Sequence, residues 1–129
     1  MEKITVLLVE DEQTLAMIIK DTLEGQNFII HTAADGEEGL RKFFDLRPDV
    51  LVADVMMPRM DGFDLVRNIR ADQKLADLPV IMITSRIAQK HRDYAAELGV
   101  NHYLGKPYRE EELLALVARH VAATDIAIS

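Results

Sequence analysis

Apolar runs of strand length alternate along this chain with stretches whose apolar residues recur at helical spacing. The first run, Ile4-Thr5-Val6-Leu7-Leu8-Val9, is apolar nearly throughout, as in a strand covered on both faces. A helical stripe follows at Leu15, Ile18, Ile19, Thr22 and Leu23, with Gly25 placed as a C-terminal cap. Phe28 to Ala33 reads as a second strand, and Leu40, Phe43 and Phe44 mark the next helix. Pro48 breaks the chain before a third strand, Val50-Leu51-Val52-Ala53. A loop holding Pro58 and Gly62 leads into a helix with Leu65, Val66 and Ile69. Pro79 opens the fourth strand, Val80-Ile81-Met82-Ile83, where proline is tolerated. Ile87, Tyr94, Ala95 and Leu98 stripe a helix that Gly99 stops, Asn101 to Leu104 is a short fifth strand, and Leu114, Val117 and Val121 mark a last helix after Pro107. One domain is expected over 1–122, with 123–129 as a C-terminal tail or the start of a linker.

Strands alternating with helices predict an α/β fold: a doubly wound, parallel five-stranded sheet with helices on both faces. Right-handed crossovers leave few topologies. A length of 129 residues fits one compact domain, and 49% hydrophobic with 29% charged residues fits a packed core under a charged surface. The absence of cysteine excludes a disulfide framework and thiolate metal sites, and suits a reducing, cytoplasmic setting. No apolar run is long enough to span a bilayer, and Met1 to Thr5 lead straight into a strand rather than a signal peptide, so no membrane association is expected. A net charge of −7 argues against direct nucleic-acid binding, which depends on Lys and Arg neutralising phosphates. It favours a cation wherever carboxylates gather.

In an open parallel sheet, ligands bind outside the carboxyl ends of the strands. The residues there carry the chemistry. Glu10 and Asp11 follow the first strand, Asp54 the third and Thr84 the fourth, and Lys106 lies just past the fifth. These five are expected to converge on one rim. Three neighbouring carboxylates repel one another, and one lysine cannot neutralise them. Mg²⁺ can, since it takes a few carboxylates and leaves positions for water and phosphate oxygens. Aspartate is a competent nucleophile, and phosphoryl transfer needs mainly positioning and charge neutralisation. Asp54 is therefore the candidate phosphoacceptor, with Lys106 and the Thr84 hydroxyl beside it. Taken singly, each residue has a plainer role: Asp11 at a helix start, Asp54 in a turn, Thr84 bonded to nearby backbone, Lys106 in solvent. Those roles do not explain why four strand ends of one sheet carry complementary phosphate chemistry.

The segments Val9-Glu10-Asp11, Asp54-Val55-Met56-Met57-Pro58-Arg59-Met60-Asp61-Gly62, Ile83-Thr84-Ser85 and Tyr103-Leu104-Gly105-Lys106-Pro107 together resemble the receiver domain of two-component response regulators, from about Ile4 to Val121. The resemblance, which includes chemotaxis regulators, implies a flavodoxin-like fold with strand order 2-1-3-4-5. It implies that Asp54 is phosphorylated, that Asp11 ligates Mg²⁺ directly with Glu10 beside it, and that the Met56 backbone carbonyl is a further ligand. It makes Thr84 and Lys106 contacts of the phosphoryl oxygens, Tyr103 the switch aromatic, and the Lys106–Pro107 bond cis. Met56 and Arg86 match positions that flank the phosphoryl group. The implied partner is a sensor histidine kinase or a histidine phosphotransfer protein. The face of the fourth helix, fifth strand and fifth helix would change on phosphorylation, in a monomer or weak dimer.

Other functions fit the residues less well. A phosphatase of the haloacid-dehalogenase type places its nucleophile after the first strand with a second aspartate two residues on, where this chain has Met56. A flavodoxin-like cofactor binder needs a glycine- or hydroxyl-rich phosphate loop, where this chain has Glu10-Asp11-Glu12. A scaffold that never takes up phosphate is the remaining reading. The histidines, His31, His91, His102 and His120, pair at no metal-ligand spacing and are expected at the surface or boundary.

Overall fold

The computed structural model describes residues 4–57, 60–85 and 88–128, with 120–128 described by backbone alone. The Pro58–Arg59 step, Arg86, Ile87 and the side chains of His120 and Val121 lie outside the described residues. The elements run β1 (Thr5–Val9), α1 (Gln13–Glu24), β2 (Ile29–Ala33), α2 (Gly36–Leu46), β3 (Val50–Asp54), α3 (Gly62–Arg70), a 3₁₀ turn (Gln73–Leu75), β4 (Val80–Thr84), α4 (Gln89–Glu97), β5 (His102–Gly105) and α5 (Glu110–Ile128). All strand pairs are parallel and the order is β2-β1-β3-β4-β5. This is the doubly wound α/β sheet that the alternation predicts.

The three central strands are the ones with continuous apolar runs. β3 and β4 are buried at every position and β1 at all but its first. Alternate side chains feed two cores. Leu7, Leu51, Ala53 and Met82 pack with Phe43, Leu65 and Ile69 from α2 and α3. Leu8, Val52, Ile81 and Ile83 pack with Ile19, Leu23, Leu113 and Val117 from α1 and α5. The edge strands are poorer: β5 is only half-buried throughout.

Helix ends differ from expectation in instructive ways. Gly25 caps α1, but its φ is −62°, and Asn27 takes the left-handed turn at φ 70°. Gly99 does end α4 in the left-handed region, at φ 83°. Asp35 and Asp61 cap α2 and α3 by accepting from the Glu38 and Asp64 backbone N–H groups at 2.9 and 2.8 Å. The segment expected as a tail continues α5 to Ile128. Ala122, Ala123 and Ala127 favour helix, and no glycine or proline interrupts it. No helix among the described residues is long and apolar enough to cross a membrane.

Candidate functional site

The carboxyl ends of β1, β3 and β4 form one rim because the three strands are adjacent and parallel. β1 delivers Glu10 and Asp11. Asp54 is the last residue of β3, and Thr84 the last of β4. A carboxylate oxygen from each of Glu10, Asp11 and Asp54 lies within 4.8 Å of the others. Glu10 and Asp54 are buried, at 2% and 3% exposure, whereas Asp11 is exposed at the mouth.

Lys106 reaches in from the end of β5. Its ammonium lies 3.0 Å from Asp54 Oδ2 and 3.2 Å from Glu10 Oε1. Its backbone N–H donates to the Thr84 carbonyl at 2.7 Å, so the β4 and β5 ends are tied where the lysine departs. The following Lys106–Pro107 peptide is cis, as the resemblance implies. Asp54 Oδ1 accepts from the Met56 N–H at 3.1 Å, while the Met56 side chain turns outward at 45% exposure. Thr84 is fully buried. Tyr103 is not in the pocket. It lies on β5 in register with Met82, half-buried against the α2–α3 core. His31, His91 and His102 are half-buried, and none joins the acidic cluster.

The electrostatics are those of a site short of positive charge. Burial, then the adjacent Asp54 carboxylate, pushes the Glu10 carboxyl up to about 8 against the pull of Lys106. Burial works against the charged form of Lys106. The hydrogen bond to Asp54 and the charges of Asp54 and Glu10 outweigh it, holding the ammonium above its ordinary range. Glu10 Oε2 is buried with no hydrogen-bond partner among the described residues. An orphaned carboxylate oxygen in an all-oxygen cluster suits a hard divalent cation, so the residues fit Mg²⁺.

Sequence reasoning missed two contributors. Gly62, read as a loop residue and as the end of a motif but given no packing role, starts α3 against the end of β3; a Cβ there would lie 2.3 Å from the Asp54 carbonyl oxygen. Backbone cannot yield as a side chain does. Gly62→Ala is expected to lower the unfolding free energy by about 2 kcal/mol in urea denaturation. Tyr108 is the other. Its buried hydroxyl has no hydrogen-bond partner among the described residues, and burial followed by the Glu10 and Asp54 charges pushes it up to about 12. Nothing in the spacing of Lys106-Pro107-Tyr108 signals that proximity.

Known proteins share this sequence pattern and fold. Residues 6–118 match the response regulator receiver domain family. The chain is 34% identical over 122 residues to the alkaline phosphatase synthesis transcriptional regulatory protein PhoP of Bacillus subtilis, covering 95% of this chain and 50% of that protein. It is 37% identical over 112 residues to the hybrid signal transduction histidine kinase D of Dictyostelium discoideum, covering 87% of this chain and 7% of that protein. The structure superposes on the chemotaxis protein CheY4 of Vibrio cholerae with a TM-score of 0.86 at 31% identity, covering 92% of this chain and 98% of that one. The chain thus spans half or less of the length of these curated relatives. The chain belongs to the response regulator receiver domain family, the phosphoacceptor domains of two-component phosphorelays.

Proposed function

We propose that Asp54 is the phosphoacceptor of this receiver and that its donor is a phosphohistidine on a sensor histidine kinase or a histidine phosphotransfer protein. The observation that carries the reading is the buried Asp54 carboxylate at the end of a central strand, with the Lys106 ammonium at 3.0 Å and two further acids within 4.8 Å. Asp11, Asp54, Glu10 and the Met56 backbone carbonyl would hold Mg²⁺. When bound, Mg²⁺ offsets the charge of the carboxylates and of the arriving phosphoryl group.

The chain's own residues then do the following. The Met56 N–H holds the Asp54 carboxylate in a fixed orientation. An Asp54 oxygen forms a bond to phosphorus as the donor's P–N bond breaks, and the imidazole leaves with the electron pair of that bond and takes a proton. Lys106 and the Thr84 hydroxyl donate to the phosphoryl oxygens, which carry charge that was absent before transfer. Thr84 moves toward them, Tyr103 repacks behind it, and the α4–β5–α5 face shifts population toward a second conformation. Water later cleaves the acyl phosphate at phosphorus and restores the Asp54 carboxylate. The domain thus assists its own phosphorylation and dephosphorylation.

Residues 1–122 form the receiver in this reading, with 123–129 leading out of it, and the protein works as a monomer or weak dimer. Direct contact with nucleic acid or membrane is no part of the role. Intact mass after acetyl phosphate and Mg²⁺ tests the assignment. Wild type should gain the mass of one phosphoryl group and Asp54→Asn none. Equal gain in the variant overturns it.

A further inference from the structure

Arg92 sits on α4 with its guanidinium carbon 5.3 Å from the centroid of the Tyr103 ring. Its Nη1 also donates to the Tyr103 carbonyl oxygen at 3.3 Å, a long bond that ties the same side chain to β5. The ring itself leans on the buried core beneath α3 and α4. We propose that Arg92 is a latch on Tyr103: the guanidinium holds the ring in its resting position, and phosphorylation has to break this stack before the ring can turn. The proposal rests on the reading of Asp54, Thr84 and Tyr103 given above.

The helix that carries the latch is itself lightly held. α4 buries only Ala95 fully, and its N-cap residue, Ala88, offers no side-chain hydrogen bond. Its first turn, Gln89-Lys90-His91-Arg92, presents no apolar residue to a core. Two cation–aromatic pairs compensate. Arg92 reaches Tyr103 on β5, and Tyr94 accepts a hydrogen bond from Arg67 of α3 while stacking edge-on against Phe63 at 5.0 Å. An element with few buried apolar contacts moves at low cost, so a single side-chain contact weighs heavily in its equilibrium. A contact made in one conformation alone shifts the population by its own free energy. A cation over a tyrosine ring shifts it roughly three- to tenfold. When the phosphorylation-competent conformation is the minor one, the rate of phosphoryl uptake rises in proportion to its population.

The test follows phosphoryl uptake from acetyl phosphate with Mg²⁺ by time-resolved intact mass. The Tyr103 ring is watched by NMR of ring-labelled tyrosine, with Tyr103→Phe assigning the signal. Arg92→Gln should take up phosphate roughly three- to tenfold faster than wild type. Its unphosphorylated Tyr103 signal should move toward the phosphorylated position. Arg92→Lys, which keeps the charge without the planar stack, should fall between. In a Tyr103→Ala background, Arg92→Gln should change nothing, because the latch then has nothing to hold. An unchanged rate and ring signal in Arg92→Gln, or the same acceleration without the tyrosine ring, overturns the proposal. If wild type takes up no phosphoryl group, the Asp54 reading fails instead. The latch is then decided by whether the Tyr103 signal of untreated Arg92→Gln differs from that of untreated wild type: a shifted ring signal supports it and an unchanged one overturns it.

Discussion

Lys106→Met should slow phosphoryl uptake from acetyl phosphate about a hundredfold and lower the unfolding free energy by about 3 kcal/mol in metal-free buffer. The two effects have one origin. The Lys106 ammonium is the one cation found to bridge both buried acids among the described residues, at 3.2 Å from Glu10 and 3.0 Å from Asp54. Removing it leaves two carboxyl groups at 2% and 3% exposure with no counter-charge found for them among the described residues. Breaking a buried pair from one side costs far more than the pair's net contribution, since the desolvated partner remains. In the proposed reaction, the same ammonium meets charge that develops on the phosphoryl oxygens, and a lost donor of that kind costs about two powers of ten. Urea denaturation with and without Mg²⁺ separates the effects. Added Mg²⁺ should restore part of the stability, because it replaces the missing charge, but not the rate, because it does not replace the donor. Uptake at the wild-type rate would remove Lys106 from the mechanism.

Glu10→Gln should flatten the pH dependence of metal-free stability. The Glu10 carboxyl titrates near 8 in the folded chain and near 4.5 when unfolded. Between those values the folded state holds a proton that the unfolded state has released. The stabilisation from that proton is fully present below about 4.5 and is lost as pH rises through about 8. Wild type in metal-free buffer should therefore lose about 2 kcal/mol between pH 6 and pH 8.5 from this group. The variant, with a neutral amide of the same shape, should lose almost none of it. A divalent cation reverses the trend, since it binds the ionised carboxylate. The stabilisation of wild type by Mg²⁺ should grow over the same pH range, and the variant's gain should be smaller and nearly pH-independent. Thermal melts at both pH values, with and without Mg²⁺, check this. Equal pH slopes for the two proteins would show that Glu10 is not the buried titrating acid.

The parts of the fold that show in the sequence are those where one physical demand dominates. Val6 to Val9, Val50 to Ala53 and Val80 to Ile83 are buried on both faces, so every position must be apolar, and the runs announce central strands. The site residues follow, because a parallel sheet brings the residues after adjacent strands to one rim. Glu10, Asp11, Asp54 and Thr84 needed no side-chain coordinates to be brought together. What stayed hidden depends on reach and close approach. The bridge from Lys106 to Glu10 as well as Asp54 requires the length and direction of one side chain. The space denied to a Cβ at Gly62 is set by the backbone of a distant strand. The Arg92–Tyr103 stack joins a polar helix position to an edge strand, and neither periodicity marks such a pair. Asn27 rather than Gly25 takes the left-handed turn after α1, since either residue tolerates it and spacing alone does not choose. The run of alanines after Val121 carries too little pattern to read as an amphipathic stripe, yet helix propensity suffices to extend α5 through it.

In the proposed mechanism an Asp54 oxygen forms the bond to phosphorus, and the direct test is chemical mapping. Borohydride reduces an aspartyl phosphate to homoserine. After treatment with acetyl phosphate and Mg²⁺, reduction and tandem mass spectrometry, the account predicts homoserine at position 54 and at no other. Homoserine at Asp11 or Asp61, or a phosphoryl group that survives reduction on a serine, would contradict it.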